Sequence, residues 1–351
     1  MRSVLQLFIV LFTICGCKEP FSPEVDAQFK NMLVVEGYLV IGGSTTFFLS
    51  RTGDLKEKQS RKPEVAARIE IQDARGTVAG AESGVNGECV LGTTNLAASQ
   101  SYRIKITTKN GNVYETDFLE TKISPPIDSI SRRVEGNGFQ LYVSTHDSSN
   151  KTRFYSWDYK ETWEITSPFG SYLDLKDGKI VDRDPIIYPA RCWQENTSTQ
   201  ILLGSSERLS EDMIPMAPLT YIPGNSIKID QLYSILVRQY AHTREGYQYL
   251  ENLKRNTEKI GSIFDPQPSE LEGNITCITN PSEKVIGWVD AGTVSEKRIF
   301  IERRHRLPHW SFIDDCAEKI ISQDSVAKYL AIGYLIINWE LPPSLRITKI
   351  K

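Results

Sequence analysis

The feature that most restricts this fold is a series of short segments rich in branched residues, cut by turn residues at intervals of roughly ten to twenty positions. Met32 to Val40 ends at Gly42-Gly43, and Thr45 to Ser50 closes at Arg51-Thr52-Gly53-Asp54. Val65 to Gln72 stops at Asp73-Ala74-Arg75-Gly76, followed by Gly87 to Leu91, Ser101 to Thr107 and Asn112 to Phe118. Between the last two lies Lys109-Asn110-Gly111-Asn112, a hairpin signal because Asn-Gly takes positive φ at little cost. Six strands with this punctuation predict an immunoglobulin-like β-sandwich over residues 31–123. Ser124-Pro125-Pro126-Ile127-Asp128 marks the expected boundary, with a second β-rich domain over 124–351.

In the second half, Phe139 to Thr145, Phe154 to Ile165 and Ser226 to His242 read as strand-like, and residues 166–200 as loop. Thr243 caps a clear helix near 244–259, on which Tyr247, Leu250 and Leu253 share a face. Tyr155, Trp157, Tyr159 and Trp163 alternate with Ser156, Asp158, Lys160 and Thr162, and Glu161 interrupts their face. Such a stripe suits two tasks. It is a candidate ligand-contact surface for a glycan or peptide, or it is the inner face of a sandwich, which large aromatics favour by the area they bury.

The chain starts with Arg2 and an apolar run, Val4 to Ile14, which is about eleven residues and well short of the ~20 that a spanning helix needs. Ile14-Cys15-Gly16-Cys17 then forms a lipobox: small Gly16 admits the peptidase and the Cys17 thiol carries the lipid. The expectation is a lipoprotein signal over 1–16, with lipidated Cys17 and a proline-containing tether over 17–30. Two or three acyl chains on one residue give stable attachment. The apolar run Tyr329 to Trp339 is too short to be a second span.

Charge bounds the partners. With 41 basic against 44 acidic residues and no basic cluster, nucleic-acid binding is not expected. Cys89, Cys192, Cys277 and Cys316 remain beyond the lipobox, in a compartment where disulfides persist. Cys89, inside a strand-like run, reads as a buried free thiol. A bridge, if one forms, joins two of Cys192, Cys277 and Cys316, with its pairing open.

Chemistry leaves few marks. His305 and His309 are separated by Pro308, which disfavours one helix presenting both to a metal. Asp182, Asp184 and Asp314-Asp315 fit no calcium loop. No G-x-S-x-G elbow and no phosphate-binding glycine loop occurs. No catalytic residue, metal or cofactor is therefore expected, and the chain reads as a binding or assembly module, with a hydrolase whose site is unrecognised as a further alternative.

The lipobox, the tether and the segment Leu33-Val34-Val35-Glu36-Gly37-Tyr38 resemble an uncharacterised family of Bacteroidota outer-membrane lipoproteins defined by a domain of unknown function. Ile127-Asp128-Ser129-Ile130, Gly261 to Pro266, Gly273-Asn274-Ile275, and Val285-Ile286-Gly287-Trp288 before Lys297-Arg298 continue the resemblance in order. Genes of that family often adjoin those of TonB-dependent receptors. The resemblance thus implies an accessory lipoprotein of an uptake or surface complex, with such a receptor as partner, and implies no activity. Lys18-Glu19-Pro20 matches a surface-export signal only in part, which leaves periplasmic and cell-surface orientations both open.

Overall fold

The computed structural model describes residues 31–53, 61–166, 173–176, 179–182, 191–258, 271 and 273–305. Cys17 and its tether, Cys316, His309, Asp184, Asp314-Asp315, the 261–266 motif and the 329–339 run lie outside them, as do the side chains of Asp182 and Cys192.

The first lobe is built from β1 (Leu33–Gly37), β2 (Leu39–Val40), β3 (Ser44–Thr52), β4 (Arg61–Pro63), β5 (Arg68–Asp73), β6 (Gly76–Glu82), β7 (Glu88–Gly92), β8 (Arg103–Thr107), β9 (Val113–Thr116) and β10 (Thr121–Lys122). β1, β3, β4 and β7 form one sheet; β9, β8, β5 and β6 form the other. Alternate residues face inward, Leu33 and Val35 from the first and Ile69, Ile71, Ile104 and Ile106 from the second, and close one dry core. The Asn110-Gly111 turn joins β8 to β9 as expected, with Gly111 at φ +84°.

The second lobe opens with β11 (Ile127–Glu135), β12 (Gly138–His146) and β13 (Phe154–Thr166). It continues with β14 (Leu173–Lys176), β15 (Lys179–Asp182), β16 (Arg191–Thr197), β17 (Leu202–Ser205), β18 (Met213–Pro223) and β19 (Leu232–Ala241). Helix α1 (Arg244–Glu258) follows, the α-helix of the described residues. None of these residues forms a helix long and apolar enough to cross a membrane. The fold is therefore mainly β, a sandwich followed by a second β-rich lobe with one clear helix.

Three expectations need correction. First, the described parts of 166–200 are not loop: β14 pairs with β15 and β16 pairs with β13, as does β17 just beyond. β16 carries Arg191, Gln194, Glu195 and Asn196 because it is a sheet edge, where polar residues are tolerated. β18 escapes sequence reading for the same reason, since Pro215, Pro218 and Pro223 sit on the edge strand of the β11–β12–β18 sheet.

Second, the chain after α1 does not stay in the second lobe. β20 (Ile275–Cys277) pairs with β9, β21 (Val285–Ile286) runs parallel to β1, and β22 (Ala291–Gly292) lies parallel between β2 and β10. Ile275, Cys277, Val285, Val289 and Ala291 belong to the first core. Only with β23 (Val294–Glu302), antiparallel to β19, does the chain re-enter the second lobe. Parallel pairing requires a long crossover, and here the crossover is an entire lobe.

Third, Cys277 is a free thiol, fully buried in the first core, as is Cys89. It faces inward from β20 and leaves the set expected to bridge.

Glycines permit the return. A Cβ on Gly287, at φ +138°, would fall 2.1 Å from the Val35 carbonyl oxygen, and one on Gly273 would fall 1.9 Å from that of Gly287. Asn274 completes the joint, its side chain donating to the Val289 carbonyl and accepting from the Val289 amide at 2.8 and 2.9 Å. Arg51 clasps the same segment, donating to Glu283 at 2.9 Å and Glu64 at 2.6 Å. We predict that Gly287→Ala lowers stability by about 1–3 kcal/mol, read as a lower urea midpoint, with faster amide exchange in β1 and β21. An unchanged midpoint would remove the close approach as a constraint.

Candidate functional site

The aromatic stripe of β13 resolves first. Tyr155, Trp157, Tyr159 and Trp163 are between 0 and 7% exposed and form the second core with Ile235, Val237 and Leu141. Their polar ends are mostly occupied from within. Tyr155 donates to Asp212, and burial raises its phenol pKa. Trp157 Nε1 donates to Gln239 Oε1 at 2.9 Å. Lys228 Nζ lies 4.9 Å from the centre of the Trp163 ring. Glu161, the exception in the stripe, is buried because Lys228 and Tyr233 bind it at 2.6 and 2.7 Å. These four aromatics, expected as candidate ligand contacts, are core residues here, and a ligand cannot reach them without opening the sandwich.

Gln239 ties the boundary segment to the second lobe. Wholly buried, it donates to the Pro125 carbonyl at 2.8 Å and to Thr145 Oγ1 at 3.1 Å while accepting from Trp157. Ser124 Oγ donates to the Gln239 carbonyl at 3.1 Å. The Pro-Pro segment is therefore stitched into the second lobe rather than left as a free linker.

Outside this seam lies a groove of about 570 Å³, lined by Lys122, Ser124, Asp128, His146, Ser149 and Lys151 among others. That volume is within the usual range for small-ligand sites. The Asp147 carboxylate shapes its rim by accepting from the Ser149, Lys151 and Thr152 amides. His146 Nδ1 lies 2.8 Å from Asp128 Oδ2. That hydrogen bond, then the Asp128 charge, raises the His146 pKa above its ordinary value.

A second cluster lies where the returning segment meets β19 and α1. The outer face of β13 carries Ser156, whose Oγ is 2.6 Å from His242 Nε2. His242 directly follows β19, and its amide extends the ladder by donating to the Phe154 carbonyl at 2.9 Å. Its Nδ1 is 2.8 Å from Asp290 Oδ2. Asp290 precedes β22, and its carbonyl accepts from the Leu39 amide at 2.9 Å, which fixes it to the first lobe. Its other oxygen accepts from Thr243 Oγ1 at 2.8 Å and Trp288 Nε1 at 3.1 Å. Thr243 is also the expected cap of α1, accepting from the Gly246 amide at 3.1 Å. A Cβ on Gly246 would fall 2.0 Å from Asp290 Oδ2, so glycine there admits the carboxylate.

Tyr38 closes the cluster edge-on against His242 and Tyr240, its hydroxyl donating to the Ala241 carbonyl at 2.8 Å. Burial, then Asp290 and Tyr240, pushes its pKa up, so it stays a neutral donor. Sequence reading missed this cluster because its members are 86 and 48 residues apart. The partial signals were Ser156 on the outward face of the stripe and His242 at a strand end.

Two packed β-lobes with a returning segment define a β-sandwich protein with both sites at the lobe junction. The chain belongs to the family described as domain of unknown function DUF4249, whose profile matches residues 18–298. No curated protein matches the chain. Among solved structures it is similar to a candidate carbohydrate-binding protein from Bacteroides uniformis. The identity is 9%, the TM-score 0.17, and the match covers 61% of this chain and 91% of that one.

The His146–Asp128 pair yields a pH prediction. A raised folded-state pKa means that its stabilising contribution is full below the unfolded-state pKa and fades as pH rises through the folded one. In an NMR titration, His146 should show a midpoint above the ordinary value of about 6.5. Asp128→Asn should move that midpoint down; an unmoved midpoint would dissociate the pair.

Proposed function

We propose that this chain is a lipid-anchored accessory module of the outer membrane that works beside a TonB-dependent receptor. The observation that carries the reading is the Ile14-Cys15-Gly16-Cys17 lipobox placed after a short apolar run and ahead of two β-lobes. An anchor on Cys17 confines the body to the membrane plane and raises its effective concentration around a membrane partner. Receptor partnership rests on the family resemblance. The accessory role itself requires no reaction.

Independent capture of a glycan or peptide is a second reading, and the junction groove favours it over the β13 aromatics. Lys122, Lys151, His146 and Asp128 offer both signs of charge, beside the Ser124 and Ser149 hydroxyls. Capture there involves polar or ionic groups more than ring stacking.

Metabolic labelling with an alkyne fatty acid should mark the wild-type protein, and Cys17→Ala should lose the label and leave the membrane fraction. Purification of the tagged protein from native membranes in mild detergent should bring down a receptor in near-stoichiometric amount. A labelled protein recovered alone would overturn the receptor partnership and move weight to capture in the groove. A wild-type protein without label would overturn the anchor.

A further inference from the structure

We propose that Ser156, His242 and Asp290 form an acyl-transfer triad, with Ser156 as nucleophile toward small carboxylic esters. This goes beyond the accessory role and does not rest on it.

The order of atoms carries the inference. An ionised carboxylate only accepts hydrogen bonds, so Asp290 Oδ2 at 2.8 Å requires a proton on His242 Nδ1. A neutral imidazole then has its lone pair on Nε2, the atom 2.6 Å from Ser156 Oγ. The hydroxyl is thereby the donor and His242 the base, and the roles follow from geometry whatever the order in the chain. Asp290 is a positioning residue, itself oriented by Thr243 and Trp288.

A strut between lobes would need only the His242–Asp290 bond. Here the arrangement extends to the hydroxyl of Ser156, a half-buried residue, while His242 and Asp290 are 7 and 4% exposed. Their burial strengthens the imidazole–carboxylate interaction. Phe154, two residues along the same face, packs its ring against Tyr247 at 5.1 Å, and Tyr240 is the cross-strand partner of Ser156. These aromatics give the acyl or alkyl portion of an ester an apolar neighbour.

The step balances with water as co-reactant. Ser156 Oγ attacks the ester carbonyl as its proton passes to His242 Nε2. The acyl–oxygen bond breaks, and the alcohol leaves with that proton. Water then attacks the acyl-serine as the same nitrogen takes its proton; the acyl–Oγ bond breaks, the proton passes to Ser156 Oγ, and the carboxylic acid leaves. Ser156 lies mid-strand between β17 and β19, so the ladder occupies the backbone around it. Lacking an amide cradle costs acyl-transfer sites on the order of 10²–10³ in rate, so activated esters with good leaving groups are the fitting substrates.

The full-length protein in detergent, incubated with a fluorophosphonate probe, should gain one adduct that peptide mapping assigns to Ser156. Ser156→Ala should abolish it with an unchanged thermal midpoint. Asp290→Asn should slow labelling of the folded protein, checked by circular dichroism, at least about tenfold by favouring the wrong tautomer, a rate effect that a purely structural role would not produce. Hydrolysis of p-nitrophenyl acetate should fall in parallel. No adduct on wild-type protein, or equal labelling of the Ser156→Ala variant, overturns the triad. Should Asp290→Asn unfold, the Ser156→Ala comparison decides alone.

Discussion

Residues 275–292 return to the first sandwich after the chain has built most of the second, and much else depends on that return. β21 and β22 are parallel additions to β1, β2 and β10, and parallel neighbours cannot be joined by a tight turn. The chain satisfies this by placing the second lobe inside the crossover. One core is then shared by strands from opposite ends of the sequence, and neither lobe has a continuous segment as its whole content. Gly273 and Gly287 matter because two backbones approach there more closely than any side chain allows.

That return also creates the junction chemistry. Asp290 reaches His242 only because the Leu39 amide holds its backbone in the first lobe while β19 delivers the imidazole from the second. Thr243 ties the same carboxylate to the start of α1, which joins helix capping to the polar cluster in one hydroxyl. The junction groove, with Asp128 and His146, flanks the Ser124-Pro125 segment that Gln239 pins from the core. Both candidate sites are products of one interface, held by buried polar groups that are satisfied on each side.

The aromatic strand illustrates how a surface-like pattern becomes a core. Four large rings on one face either meet solvent or meet another sheet, and the β11–β12–β18 sheet covers them here. Trp157 and Tyr155 keep polar contact through Gln239 and Asp212, as large amphipathic rings do when buried. Glu161 is compatible with the same interior because Lys228, Tyr233 and Asn196 bind its carboxylate.

Local pattern in the sequence determined what local physics controls. The alternation of the 31–118 segments, the Asn110-Gly111 turn, the Thr243 cap and the one-sided β13 stripe follow from side-chain period and turn conformation, and each is legible in a few adjacent residues. Edge strands β16 and β18 were not legible, because an edge tolerates the charges and prolines that otherwise read as loop. Only tertiary structure decided that β20 to β22 serve the first core, that Cys277 stands as a buried thiol, and that Ser156, His242 and Asp290 meet. Contacts across 86 and 48 residues are fixed by which faces can be buried together, a condition that no short stretch of sequence contains.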